Sequence, residues 1–297
     1  MNILKKMVCI LLGIIGIHTI QAEIITYPAE VTPGSWLCFR KDISVGKDAS
    51  HNLLKIAADS KYWLWINGEL IVREGNLKRG PNPKDTYCDI LRDVKGLVSG
   101  RNTIALLVWY FGKDGFSHRN SPTAGVSVDL TIGKQRYISD DSWKVSIHPS
   151  FYIPNGINPN YRLPESNIGF NAQKEVAFWD KDFDDALWQD AKVIKKELSG
   201  WNQLVERPIP MWKDYGLKDY VKVERKSDTL FVAYLPYNAQ VNPYIKLKAK
   251  VGEIIDIRTD NYCGGGTPNV YAEYITKNGI QEFEAWGWMN GHQVLYT

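Results

Sequence analysis

Residues 109–121, "WYFGKDGFSHRNS", run an aromatic strand end into a loop that carries Lys113, Asp114, His118 and Arg119. An aromatic face beside charged hydrogen-bonding groups is the combination that sugar recognition uses. The carbohydrate-contact candidates are therefore Trp109, Lys113, Asp114, His118 and Arg119. The competing reading is a core strand that ends in an ordinary polar loop. Two further pieces pair carboxylates ahead of a tryptophan: "SDDSWKVS", with Asp140-Asp141, and "FDDALWQDA", with Asp184-Asp185. Such pairs could bind calcium or act as general acids. Too few oxygen ligands gather at either locus for a loop calcium site. The simpler expectation is a turn in which Asp bonds its own backbone, followed by a Trp entering the core. Glu165, in "RLPESN", is the one carboxylate that a long loop could bury, and burial is what a general acid at neutral pH requires.

Other chemistries lack their residues. His51, His118, His148 and His292 show no metal-ligand spacing and no Cys-x-x-Cys occurs, so neither a metal site nor a cofactor is expected. No Gly-x-Ser-x-Gly elbow is present. "CGGGTPN", from Cys263, lacks the Lys-Ser/Thr of a phosphate loop and no helix follows it; a tight turn or bulge is expected. "NLKRGPNPKDTY", residues 76–87, is a basic loop that could line a ligand site or be merely solvated. The formal net charge of +3 is too small and too dispersed for nucleic acid or an anionic membrane.

The elements that position these residues are strands. In "HNLLKIAADSKYWLWINGELIVREG", Tyr62, Leu64 and Ile66 fall on one face and Trp63 and Trp65 on the other, as in a strand buried between two layers. Trp63 and Trp65 are expected in the core rather than as a sugar platform. Asn67-Gly68 turns the chain and "ELIVRE" returns. "GRNTIALLVWYFG" is apolar on both faces, and "AGVSVDLTI" alternates before Gly133-Lys134. Strand after strand at short spacing, with Gly, Asn and Pro between, predicts an all-β sandwich. Residues 149–171 read as a long irregular loop. Near residue 200 two prolines in extended chain mark a linker. A second strand series follows, with Asn278-Gly279 and Asn290-Gly291 as further hairpin turns. The 11 Trp and 16 Tyr fit a thick β core.

The first 22 residues read as a secretory signal, with Lys5 and Lys6 ahead of a short apolar core at 8–17 and a cut near Ala22. That predicts a secreted or periplasmic protein with no membrane span after signal removal. Cys38, Cys88 and Cys263 then remain, allowing at most one disulfide in three pairings; buried thiols are expected.

Together these stretches resemble the N-terminal, non-catalytic part of bacterial α-L-rhamnosidases of glycoside hydrolase family 78, in the Bacteroides-like branch. The resemblance rests on "WLCFRKDI", "AADSKYWLWINGELIVREGNLKRGPNPKDTYCD", "GRNTIALLVWYFGKDGFSH", "NYRLPESNIGFNAQKE", "ERPIPMWKDYG", "LPYNAQVNPYIKLKAKVGEIIDIRTDNY" and "EYITKNGIQEFEAWGWMNGHQVLYT", in the family's order over nearly all of residues 35–297. Gln173 stands where relatives often carry Arg. The resemblance implies a galactose-binding-like jelly roll at 23–200, a linker at 201–212 and a second β-sandwich at 213–297, truncated at its C-terminal end. In such enzymes the acid and base carboxylates lie in an (α/α)6 barrel further on, so no catalytic residue is carried over and the chain is expected to be a fragment. The implied function is an accessory region of a rhamnosidase-like hydrolase acting on plant or host glycans, with that barrel and a glycan as its partners. The alternatives are a stand-alone carbohydrate-binding module or a complete enzyme with an unfamiliar site.

Overall fold

The computed structural model describes residues 22–47, 49–77, 82, 85–115, 118–156, 163, 165–261 and 269–297. The stretch up to residue 21 that reads as a signal, Cys263 and most of "CGGGTPN", and much of the 76–87 loop lie outside the described residues. The described chain is built almost wholly of strands, arranged as two β-sandwich units.

The first unit stacks two sheets. One runs Lys192–Ile194, Ile24–Thr26, Gly125–Ile132, Asn52–Asp59, Thr86–Arg92 and Leu204–Glu206, with Gln135–Ile138 also on Gly125–Ile132. The other runs Gln189–Asp190, Lys144–Ile147, Trp36–Val45, Gly100–Trp109, Lys61–Ile66 and Glu69–Gly75. Pairing is antiparallel except where Leu204–Glu206 lies parallel to Thr86–Arg92. Between the sheets pack Leu37, Phe39, Leu54, Ile56, Tyr62, Leu64, Ile66, Leu106, Val108, Val126, Val128 and Trp143. The period of two along each strand places this set on the inner face.

The Asn67-Gly68 turn forms as expected. Both residues have positive φ, 52° and 86°, as a type I′ hairpin needs. The Asn67 side chain donates to Gly96 O at 2.8 Å and accepts from Thr103 N at 2.9 Å, tying the turn to the next strand. The outer face of the second sheet carries Trp36, Cys38, Trp63, Trp65, Ala105, Leu107 and Trp109, all buried. Ile168, Phe178, Trp179, Trp188 and Trp286 cover it. Trp63 and Trp65 are core residues, and their strand is a middle layer.

The paired aspartates act mainly as turn residues. Asp140 Oδ1 accepts from Ser142 N at 3.0 Å, and Trp143 then enters the core with its Nε1 donating to Ile138 O at 2.9 Å. Asp184 Oδ1 accepts from Ala186 N at 3.0 Å. Its neighbour Asp185 does more: its carboxylate takes Arg40 Nε at 2.8 Å. The guanidinium of Arg40, wholly buried in the sheet, also donates to the carbonyls of Asp180 and Phe183, pinning residues 178–185 over the indoles.

The second unit has a seven-stranded sheet in the order Phe151–Tyr152, Ile168–Asn171, Tyr271–Ile275, Ile254–Thr259, Met289–Tyr296, Phe231–Val241 and Lys222–Arg225. A two-stranded sheet, Tyr244–Ala249 with Gly279–Glu284, covers part of one face. Phe170, Ala233, Ile257, Tyr274, Phe283 and Val294 form its core. Part of the 149–171 stretch, read as irregular, is thus two strands of this sheet.

Two expected hairpin turns are not formed. Asn290 and Gly291 lie inside Met289–Tyr296, opposite Gln240 and Ala239. Gly291 is there because a Cβ would collide with Asp260 Oδ1 and lie 2.7 Å from Thr259 Cβ on the adjoining strand. Close backbone approach, rather than positive φ, selects the glycine. Gly279 does have φ +99°, but the strands it joins belong to different sheets, so Asn278-Gly279 is a corner between layers.

Candidate functional site

Charged and aromatic side chains gather in the seam between the two units. The hairpin of Lys61–Ile66 and Glu69–Gly75 brings Lys61, Trp63, Arg73 and Glu74 to it. The second unit adds Trp286 and Trp288 from the short crossing at residues 285–288, and the segment before Ile168–Asn171 adds Glu165 and Asn167.

Lys61 is its centre. This ammonium is almost fully buried and lies 3.2 Å from Glu74 Oε1 and 3.4 Å from Glu165 Oε1. Its Nζ also stands 5.3 Å from the centroid of Trp288 and 5.7 Å from that of Phe111. Taking a cation out of water is costly unless it is paired, and here two carboxylates and two ring faces replace the lost hydration. Glu74 uses its second oxygen to accept from Trp288 Nε1 at 2.8 Å. Trp212 meets Trp288 edge-on at 4.5 Å, and Trp286 meets Trp63 edge-on at 5.0 Å. Arg73 bridges Asp214, at 3.3 Å, and Glu284.

Two cavities open along this seam. One, of about 200 Å³, is lined by Trp63, Glu74, Trp212 and Trp286 among others. The other, of about 110 Å³, is lined by Trp109, Glu165, Asn167, Tyr271 and Met289 among others. Trp288 and Gln240 belong to both walls. The Trp288 ring is held by a hydrogen bond, a cation and a neighbouring indole, so it forms a rigid divider. Indole faces with fixed carboxylate acceptors offer stacking and hydrogen bonding to a polyhydroxylated ligand.

The residues singled out at 109–121 are divided by the fold. Trp109 is 1 % exposed, stacked on Trp36 at 4.5 Å and edge-on to Phe111 at 4.9 Å. It nevertheless reaches the smaller cavity, and its buried Nε1 has no hydrogen-bond acceptor among the described residues. Lys113 is exposed on the loop. Asp114 and Arg119 pair with each other at 2.8 Å. The Asn120 N–H and then the Arg119 guanidinium hold the Asp114 carboxyl below its usual range. His118 is buried, edge-on to Phe111 at 5.3 Å.

Glu165 does reach the seam, with its side chain 27 % exposed. Lys61, Glu74, Trp212 and Trp288 were not anticipated there. The one signal was a lysine opening the otherwise apolar strand "KYWLWI". Cys38 and Cys88 are free thiols, and burial raises both, Cys88 to about 11. Among the described residues no cluster of His, Cys, Asp and Glu could hold a metal ion, and no helix is long and apolar enough to cross a membrane.

No family model matches the chain, and no curated protein matches it by sequence. Solved structures do match, α-L-rhamnosidases among them. The chain is similar to the enzyme from Dictyoglomus thermophilum with a TM-score of 0.71 at 20% identity, over 93% of this chain and 33% of that one. The α-L-rhamnosidase of Aspergillus terreus gives 0.69 at 19%, over 93% and 34%. The GH78 family rhamnosidase of Bacillus sp. GL1 gives 0.62 at 20%, over 93% and 32%. The likeness is one of fold. This chain spans about a third of the length of those enzymes.

Proposed function

We propose that the chain is the accessory β-sandwich region of a secreted or periplasmic α-L-rhamnosidase-like glycoside hydrolase, and that it braces a catalytic domain rather than cleaving glycans itself. The observation that carries this reading is the fold likeness over 93% of this chain to about a third of each rhamnosidase. The seam supports it. A brace must hold its units at a fixed angle, and a buried lysine shared by Glu74 and Glu165 beneath a layer of indoles does this. Lys5, Lys6 and the apolar run at 8–17 support export.

Glycoside hydrolysis generally uses two carboxyl groups flanking the scissile bond. Glu74 and Glu165 meet in the seam, both engaged by one ammonium, while Asp214 and Glu284 there are engaged by Arg73. Incubating the purified chain with an aryl α-L-rhamnoside is the test. No turnover above background is expected. Turnover that disappears in Glu165→Gln would replace the accessory reading with that of a small enzyme.

A further inference from the structure

We infer that the smaller seam cavity, walled by Trp109, Glu165 and Trp288, is a binding pocket for a terminal neutral sugar unit, with the larger cavity across Trp288 receiving the next unit. The inference goes beyond the accessory reading and does not depend on it.

The first observation is a donor without an acceptor. Trp109 is 1 % exposed, and its indole N–H has no partner among the described residues although it belongs to a side chain on the cavity wall. A buried N–H left unmade carries a desolvation cost that a bound acceptor removes. On the same wall stands an acceptor, the Glu165 carboxylate, oriented by Lys61 at 3.4 Å. A group that answers both at once must accept from the indole and donate to the carboxylate. A hydroxyl does both. A metal cation or an ammonium cannot accept from Trp109, and an ionised carboxylate cannot donate to Glu165.

Charge points the same way. Among the described residues Glu165 is the one charged side chain on the smaller cavity's wall, and Lys61 shares its charge between Glu165 and Glu74, which leaves that trio one charge negative. An anionic ligand is repelled and a neutral one is not.

Size sets the mode of entry. The cavity, at about 110 Å³, admits the edge of one sugar ring and no more. Ala272, Gly287 and Met289 add apolar wall that suits the ring's C–H groups. The ring therefore enters as a chain terminus. Trp288, shared by both walls, and Trp212 beside it then offer indole surface to the second sugar unit.

The experiment is calorimetric titration of the full chain with L-rhamnose, D-galactose and D-galacturonate, and with a disaccharide of each neutral sugar. Saturable binding of at least one neutral sugar is expected, with its disaccharide tighter and galacturonate weaker. Trp109→Phe removes the N–H and keeps a ring; it should weaken binding about fivefold to tenfold. Glu165→Gln should weaken it comparably, and Trp212→Ala should reduce the disaccharide advantage alone. Should Trp109→Phe fail to fold, Ser166→Leu, at a half-buried position on the wall, fills the cavity and should abolish binding. Absence of binding by every neutral sugar overturns the inference. So does galacturonate binding as tightly as galactose, or affinity unchanged in both Glu165→Gln and the folded cavity-wall variant. None of these results bears on the accessory reading, which the hydrolysis assay tests separately.

Discussion

The two sandwiches are closed to different degrees. In the first, the sheet bearing Lys61–Ile66 is buried on both faces, by the opposing sheet on one side and by residues 168–188 with Trp286 on the other. In the second, two strands cover part of a seven-stranded sheet, and Val221 and Val223 at its edge, with Phe231 and Tyr237 on the next strand, remain exposed. The second unit also takes Phe151–Tyr152 and Ile168–Asn171 from the stretch of chain that wraps the first. The difference teaches that stability in this protein concentrates in the middle layer and the seam.

The sharpest way to break the comparison is a pair of truncations. Trp63→Ala in the middle layer should cost about 3–5 kcal/mol in urea unfolding, through lost contacts and a cavity. Ile254→Ala, on an exposed position of the second sheet, should stay within about 0.5 kcal/mol. Equal losses at the two sites would remove the contrast.

Lys61→Met tests the seam itself. The side-chain volume is kept, but Glu74 and Glu165 lose their shared cation. Breaking a wholly buried pair costs about 3–5 kcal/mol. Both carboxylates retain some water contact, so a loss of about 2–4 kcal/mol is expected, with partial recovery in Lys61→Met/Glu74→Gln. Urea midpoints of the three proteins measure it.

His148 gives the seam a pH dependence. Its ring lies among Phe151, Phe170 and Phe178, and burial lowers its pKa to about 4. The folded protein holds the neutral imidazole, whereas the unfolded chain takes up a proton near pH 6.5. The associated stability is complete above about pH 6.5 and falls progressively as pH drops towards 4. The loss should reach roughly 2–3 kcal/mol over that window. Thermal midpoints of the native chain and His148→Gln, measured from pH 7 to 4, should converge as the pH falls.

The smallest effect concerns the open edge. Val223→Lys should leave the unfolding midpoint nearly unchanged while lowering light scattering at high concentration, because it breaks an exposed apolar run on the edge strand Lys222–Arg225. Scattering equal to that of the native chain would show that this edge does not drive association.

Much of the architecture was legible because its signals are local. Alternation in "YWLWI" placed Tyr62, Leu64 and Ile66 on one face and two indoles on the other, and the structure buries both sets. Asp140 and Asp184 made the turns their chemistry favours. Asn-Gly was the signal that misled. At Asn67-Gly68 the glycine supplies positive φ, but at Asn290-Gly291 it makes room for Thr259 on a neighbouring strand. The same two letters answer two different steric demands, and only the packing distinguishes them.

The order of residues along the chain decided which segments are strands and which faces are apolar, because the period of two and the turn residues act over a few neighbours. It also marked Trp109 and Glu165 as residues to watch. It could not bring them to one cavity, nor set Lys61 between Glu74 and Glu165, nor join Trp288 to a carboxylate 214 residues away. Those contacts exist because two sandwiches meet at a particular angle. That angle follows from how the indole layer packs, a property of side-chain shapes assembled from distant parts of the chain.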